Sequence, residues 1–235
     1  MNVFSDIRLA LAQITDRRFL RVLLLGLVLT VLLLFLATWA LAWLVGGLVP
    51  ESFELFGRTI GFADTLAEGT VVGAMMVASV FLMVPVASAF TGLFLEEIAQ
   101  AVEERYYPGL PPAPGVPWSE ALRDSLGFLA VIVVVNLIAL ALYFVSGPFA
   151  PFLFWIVNGY LLGREYFQLV AMRRIGRQGA TAARRRHMPQ IWIAGILMAA
   201  PLSVPIVNLF VPVLGVATFT HLYHRLETPE LTPAP

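Results

Sequence analysis

The sequence predicts an all-α integral membrane protein with two long transmembrane helices, two re-entrant or short-spanning helical hairpins and an N-terminal interfacial amphipathic helix. Apolar side chains make up 59% of the 235 residues and charged ones 13%, against about 45–50% and about 25% in soluble domains. Mean hydropathy is +0.84. The apolar residues also fall in long runs without charge, and arginines flank those runs. We therefore expect the lipid bilayer as a partner and a single membrane domain over residues 1–235.

The first 18 residues predict a short amphipathic helix on the membrane surface. Their apolar side chains recur at helical spacing, at Phe4, Ile7, Leu11 and Ile14. The first transmembrane helix follows at residues 19–45, because Val22–Val45 carries no charge over 24 residues. A cleaved signal peptide is the alternative, since arginines precede the run and Ala40–Ala42 resembles a cleavage site. The run exceeds the usual 7–15 residues and more apolar segments follow, which favours a span.

The second transmembrane helix is predicted at residues 70–107, where residues 96–107 form a cytoplasmic extension. Residues 46–69 have a net charge of −3 and are expected to form an exposed loop between the two spans. Pro85 lies inside the second span, where neighbouring helices can satisfy the freed carbonyl. The proline-rich segment Pro108–Pro117 ends the extension and is the clearest linker in the chain.

Two helical hairpins are predicted, at residues 126–163 and 189–223. Each has an uncharged tip, Ser146-Gly147-Pro148 in the first and Pro205 in the second. Several arms are about 15 residues long, short of the roughly 20 that a crossing requires, which favours hairpins that enter the bilayer and turn back. Short-spanning hairpins are the alternative. Residues 226–235 are predicted to be a disordered tail.

The arginines predict the orientation. Residues 164–188 hold seven arginines against Glu165 alone, and the first 21 residues hold four arginines against two aspartates. Two spans and two hairpins place both basic segments on one side, as the positive-inside rule requires. The protein is therefore expected to be multi-pass with cytoplasmic N- and C-termini. A formal net charge of zero argues against nucleic acid as a partner.

Polar residues at apolar depth are the candidates for a pathway or a charged cluster. They are Glu96, Glu97, Asn136, Asn158, Arg164, Glu165 and Asn208. For the asparagines, hydrogen bonds between helices are the alternative to lining a polar pathway. For the charged residues, structural ion pairs are the alternative, for example Glu97 with Arg164.

Arg17, Arg18 and Arg21 lie just before the first span and are candidates for binding an oxyanion. Anchoring to lipid phosphates is the alternative. The chain has no cysteine and none of the common catalytic motifs, so we predict no enzyme, no catalytic residue and no cofactor. His221 and His224 have metal-ligand spacing but no third ligand nearby in sequence. We interpret them as interfacial residues and predict no metal site.

Several segments resemble the CysZ-type sulfate permeases and the wider family that includes etoposide-induced-protein-like members. The resembling segments are Ala87-Ser88-Ala89-Phe90-Thr91-Gly92-Leu93-Phe94 with Glu96 and Glu97, Gly163-Arg164-Glu165-Tyr166-Phe167, Val204-Pro205-Ile206-Val207-Asn208-Leu209-Phe210-Val211-Pro212, and Gly215-Val216-Ala217-Thr218. They occur in the family's order, and the resemblance covers most of residues 8–225.

The resemblance implies a bacterial inner-membrane protein, often oligomeric, that takes up sulfate passively for cysteine synthesis. Where the family has a Gly-Leu-Arg sulfate element, this chain has Phe19-Leu20-Arg21, which keeps the guanidinium and replaces the glycine. The prediction is a permease or channel for a small anion, sulfate. A non-transporting membrane scaffold or assembly protein of the same fold is the alternative hypothesis.

Overall fold

The computed structural model describes residues 2–48, 52–55, 58–61, 95–204, 207, 210–231 and 233. The chain forms two compact units, one of Met1–Leu23 with Phe94–Pro235 and one of Leu24–Leu93. In chain order the elements are α1 (Val3–Ala12), α2 (Arg17–Leu48), β1 (Ser52–Leu55), β2 (Arg58–Gly61), α3 (Glu96–Tyr106), α4 (Trp118–Ser146), α5 (Ala150–Arg186), α6 (Met188–Ala199) and α7 (Val211–Glu227). Two 3-10 turns cover Gly147–Phe149 and Ala200–Ser203.

The Leu24–Leu93 unit contains most of α2 and a small sheet. Helix α2 has 32 residues, about 48 Å at about 1.5 Å per residue, and includes residues 19–45, whose place as a membrane span stays a prediction. β1 and β2 pair antiparallel, with Ser52 opposite Gly61. The prediction of a plain loop over residues 46–69 is therefore wrong for these eight residues, where aromatic and β-branched residues favour a strand. The second predicted span, up to residue 94, lies outside the described residues.

Helices α4 and α5 form the first hairpin of the larger unit. The chain reverses at Gly147–Phe149, where Gly147 has a φ of 49°. Helix α4 has 29 residues, about 43 Å, and begins at Trp118, eight residues before the predicted arm. Ser119–Arg186 is the one stretch of the described residues that is long and apolar enough to cross a membrane, and only 6% of its most apolar window is buried. The hairpin's apolar surface is thus exposed.

Glycines bring α6 close to α5 in an antiparallel pair. A Cβ atom on Gly159 would lie 2.5 Å from the Ile196 side chain, and one on Gly163 would lie 2.6 Å from the Ile191 carbonyl oxygen. A Cβ atom on Gly195 would collide with the Gly159 carbonyl oxygen. This small-residue packing is typical of helices that associate in lipid.

The first arm of the second hairpin, helix α6, is short. Helix α6 has 12 residues, about 18 Å, and α7 returns the chain so that the Thr218 hydroxyl lies 4.0 Å from the Met198 sulfur. The tip residues 205, 206, 208 and 209 lie outside the described part of the chain. Helix α7 continues to Glu227, so residues 226 and 227, predicted to be disordered, are helical.

Helices α1, α3, α5 and α7 meet in the core of the larger unit. Tyr166 of α5 stacks on Phe219 of α7 with ring centroids 5.9 Å apart. Helix α1 is amphipathic, as predicted, but its buried side is polar. Asp6 is buried and accepts a 2.7 Å hydrogen bond from Arg225 Nη2, while Phe4 is exposed. The apolar side of α1 therefore remains free to contact a membrane surface.

Candidate functional site

A buried charged cluster joins α3, α5 and α7, and Glu103 is its centre. The Glu103 side chain is 5% exposed. Arg174 donates two hydrogen bonds to it, from Nε at 3.0 Å and from Nη2 at 2.6 Å. Arg173 Nη1 lies 3.4 Å from the same carboxylate, and His224 Nε2 lies 3.1 Å from it. We call these four residues the Glu103 cluster.

The cluster holds Glu103 in its charged form. Burial on its own acts to raise the pKa of this carboxyl. Hydrogen bonds from His224 and Arg174, together with the charges of Arg173 and Arg174, outweigh burial and lower the pKa from 4.5 to about 2. The buried carboxylate is therefore paired at any physiological pH.

A cavity of about 370 Å³ opens beside the cluster. Its charged and amide-bearing lining residues are Glu96, Gln100, Glu103, Glu104, Arg173 and Arg174. The proline-rich linker closes one wall, where Arg174 donates a 2.6 Å hydrogen bond to the Pro111 carbonyl oxygen. Because three carboxylates face two guanidiniums, the cavity is a poor binding site for a dianion.

Two histidines complete the polar interior, contrary to the sequence interpretation. His221 and His224 are 0% and 1% exposed, so the prediction that they are interfacial is wrong. Tyr107 Oη lies 2.9 Å from His221 Nδ1, and the Tyr106 ring meets His221 edge-on at 4.9 Å. The last turns of α7 pack against α3, which explains the burial. Across the described residues, no three acidic, histidine or cysteine side chains are grouped to hold a metal ion.

The three arginines at the start of α2 differ in their surroundings. Arg18 Nη1 lies 2.6 Å from Glu104 Oε2 on the surface. Arg17 and Arg21 are exposed and have no ion-pair partner among the described residues. Between them, Phe19 is buried and anchors the segment to the larger unit. Arg17 and Arg21 are thus one helical turn apart and free to meet an anion.

The predicted charged pair is replaced by other contacts. Glu96 Oε1 lies 3.7 Å from Arg173 Nε, so Glu96 does join the charged region. The ion pair expected between Glu97 and Arg164 is absent within the described chain. Instead the Arg164 guanidinium lies over the Phe128 ring at 4.9 Å, while Glu97 and Glu165 are half-buried.

The asparagine amides bond within their own helices. Asn136 donates to the Ile132 carbonyl oxygen at 2.8 Å, and Asn158 donates to that of Phe154 at 2.9 Å. Neither amide bridges two helices among the residues described. Asn208, the third candidate, lies outside them.

Sequence reasoning missed the Glu103 cluster, although one signal for it was present. Glu103 follows Val102 and precedes Tyr106 by three residues, so it borders the apolar face of α3. A charge at that place on a helix that packs against protein requires a buried partner. The partners lie 70 to 121 residues further along the chain, at Arg173 and His224, and spacing alone does not identify them.

A family described as sulfate transporter CysZ/etoposide-induced protein 2.4 matches residues 7–212. The match takes in the arginines at the start of α2, and it ends before His221 and His224. No curated protein matches the chain.

Proposed function

Because the chain belongs to the sulfate transporter CysZ/etoposide-induced protein 2.4 family, we propose that it is a permease or channel that carries sulfate across the bacterial inner membrane. In this proposal the protein is multi-pass, both termini are cytoplasmic, and the imported sulfate supplies cysteine synthesis. The protein works as a homo-oligomer whose transported partner is a small anion. It is not an enzyme and uses no cofactor.

The exposed apolar surface of the first hairpin carries the membrane part of this proposal. Phe144 and Val145, next to the tip, are 84% and 81% exposed. Large apolar side chains are also exposed along the rest of α4, at Leu122, Leu126, Leu129, Val133, Val134, Leu137, Ile138, Leu140 and Leu142. Burial of such side chains stabilises by about 1.5–3 kcal/mol each, so a continuous exposed stripe is incompatible with water. Lipid is the solvent that fits this surface.

Helix lengths support different depths for the two hairpins. At about 43 Å, α4 exceeds the roughly 30 Å of the hydrocarbon layer, whereas α6 at about 18 Å falls short of it. We therefore propose that the second hairpin is re-entrant. The first is long enough to reach the far leaflet on its α4 side.

The anion would enter at Arg17 and Arg21. Both guanidiniums are exposed, and their spacing places them on one face of α2. Arg18 is already neutralised by Glu104, which leaves it a supporting role. Because Phe19 occupies the position of the family's glycine and is buried, an anion here is held by side chains rather than by the backbone amide of residue 19.

Sulfate uptake into proteoliposomes tests the proposal. We expect radiolabelled sulfate to accumulate in vesicles that contain the protein, with chloride as the control anion. Arg21→Ala removes charge-assisted hydrogen bonds worth about 1.5–3 kcal/mol, so flux at low sulfate falls roughly 10- to 100-fold. Arg186→Ala is the matched control, because Arg186 is exposed but lies near Glu227, far along the chain from α2.

The scaffold hypothesis makes the opposite prediction. If well-reconstituted protein gives no sulfate flux above empty vesicles, the permease assignment fails. A scaffold role would then be supported if Arg17, Arg21 and Asn158 variants altered expression or oligomerisation while ion movement stayed at background.

A further inference from the structure

Among the described residues, three of the seven arginines in residues 164–188 have no carboxylate oxygen within 4.0 Å. Four of them, Arg173, Arg174, Arg177 and Arg186, lie within 4.0 Å of a carboxylate oxygen. Arg164, Arg184 and Arg185 have no such partner within the described residues. Within the described chain, the arginines without a contacting carboxylate are therefore Arg164, directly after the predicted first hairpin, and Arg184 and Arg185. We call the region around Arg164 and Arg184 the base of the first hairpin.

The break at Gly176 brings Arg164 and Arg184 to the same place. Gly176 has a φ of 68°, which lets the helix stop and the following segment fold back along α5. Arg184 Nε then donates a 3.2 Å hydrogen bond to Gln168 Oε1, and Gln168 lies one helical turn from Arg164. Burial first, and the positive charge of Arg164 second, lower the pKa of Arg184.

The nearby acids, Asp124 and Glu165, offset part of this charge through space, but neither makes an ion pair within 4.0 Å with Arg164 or Arg184 among the described residues. Asp124 accepts a 3.3 Å hydrogen bond from Gln168 and lies 3.5 Å from Arg177 Nε. Glu165 follows Arg164 directly on the helix and thus points about 100° away from it. It makes no ion pair with Arg164 or Arg184 in the part of the chain described. The two guanidiniums are close enough to repel each other and have no contacting carboxylate among the described residues, so an anionic group would complete the site.

The surroundings of the two arginines are those of a membrane interface. Arg164 lies over the Phe128 ring, and the neighbouring Leu126 and Leu129 are exposed apolar residues. Tyr160 packs edge-on against Trp192, with ring centroids 6.0 Å apart, one turn before Arg164. Amphipathic aromatic rings beside arginines are typical of the headgroup level of a bilayer.

We propose that Arg164 and Arg184 bind the phosphate of an anionic phospholipid in the cytoplasmic leaflet. Guanidinium forks match a phosphate bidentately, and the acyl chains would lie on the exposed apolar face of α4. This site is distinct from the sulfate entry at Arg17 and Arg21. The lipid would fix the base of the first hairpin to the membrane surface.

Lipid titration of the purified full-length protein in detergent, followed by native mass spectrometry, tests the proposal. Phosphatidylglycerol is compared with phosphatidylcholine, and soluble glycerol 3-phosphate is the headgroup-only arm. We expect phosphatidylglycerol to bind more tightly than phosphatidylcholine, and Arg164→Gln/Arg184→Gln to weaken it roughly ten-fold or more. Arg186→Gln, an exposed arginine on the same segment, should leave binding unchanged.

The salt dependence of the unaltered protein gives a second measurement that needs no variant. Raising salt from about 0.1 to 1 M shortens the screening length from about 10 to about 3 Å, so the preference for phosphatidylglycerol should shrink. The proposal is overturned if both lipids bind equally, if the preference is insensitive to salt, or if the double variant binds as the unaltered protein does. Competition by glycerol 3-phosphate at lipid concentrations would also overturn it, in favour of a soluble phosphate ester.

Discussion

The Glu103 cluster is charged and buried, whereas the face of α4 that carries Phe144 and Val145 is apolar and exposed. In the cluster, Glu103 and Arg173 are almost fully buried, and every charge has a protein partner. On α4, Phe144 and Val145 are among the most exposed large apolar side chains of the described residues. Protein groups solvate the charges, and lipid is expected to solvate the apolar face.

The two regions should therefore respond differently to substitution. A buried charge with fixed partners leaves those partners unsatisfied when it is removed. An exposed apolar side chain on α4 has no fixed partner, so an exchange for another apolar residue changes little. The following predictions test this contrast, beginning with the largest expected effect.

Glu103→Gln should be the most destabilising single change in the cluster. It leaves Arg174 without a counter-charge and Arg173 with only the longer 3.7 Å contact to Glu96, which costs roughly 3–5 kcal/mol of the free energy of unfolding. The measurement is reversible denaturation in detergent micelles. Glu104→Gln is the control, because Glu104 is half-exposed and its pair with Arg18 is a surface pair worth about 1 kcal/mol or less. If both substitutions lowered the free energy of unfolding equally, the central role of Glu103 in the Glu103 cluster would be contradicted.

Gly195→Ala should disrupt the contact of α5 with α6. The new methyl group collides with the Gly159 carbonyl oxygen, so the helices must separate, at a cost of roughly 1–3 kcal/mol. Gly127→Ala on α4 is the matched control, since nothing lies within 4 Å of its Cβ position. There alanine should be neutral or stabilise the helix by about 0.5–1 kcal/mol. Thermal unfolding of both variants is the measurement. If Gly195→Ala were as stable as the unaltered protein, the close packing of α5 against α6 would be contradicted.

The stabilisation by Glu103 should depend on pH. Its folded-state pKa is lowered from 4.5 to about 2, so the unfolded chain binds the proton more readily than the folded one. The contribution is then complete above pH 4.5 and is lost as pH falls towards 2. The difference in melting temperature between the unaltered protein and Glu103→Gln should be constant at higher pH and should become smaller below about pH 4.5. If this difference in melting temperature grew on acidification, it would contradict a lowered pKa of Glu103.

Asn158→Leu should have the smallest effect. The amide bonds only the Phe154 carbonyl oxygen of its own helix, so its loss should change stability by about 0.5 kcal/mol or less. Asn136→Leu, with the same kind of bond to Ile132, is the parallel variant. Sulfate flux should also stay unchanged. If the folded Asn158→Leu variant lost sulfate flux, the Asn158 amide would instead belong to the anion pathway.

The long apolar helices were the part of the fold that the sequence predicted best. A charge-free run marked α2, and Ser146-Gly147-Pro148 marked the reversal between α4 and α5, because long apolar runs and their interruptions are visible in the sequence. The start of α4 at Trp118 was not predicted. Its first turns carry charges, and a helix need not end where the hydrocarbon ends. Hydropathy therefore identifies the lipid-exposed stretch rather than the whole helix.

The Glu103 cluster could not be predicted in the same way. Periodicity places Glu103 beside the apolar face of α3, but its partners depend on how α5 and α7 pack. Arg173 and Arg174 belong to an arginine-rich segment that the positive-inside rule already explains, so nothing in the sequence separated them from Arg185 or Arg186. The sites at Arg17 and Arg21 stay a prediction until flux is measured.

The hydrogen bonds between Asp6 and Arg225 have a consequence for biosynthesis. They connect positions 219 residues apart, so this contact of α1 cannot form until α7 has been translated. At about 5–20 residues per second, that interval is roughly 10–45 s. During this time the exposed Phe4 and Leu11 can hold the nascent N-terminus at the bilayer surface, where α7 will later emerge beside it. The rate of translation thus sets when this contact forms, and the arrival of α7 completes the packing of α1.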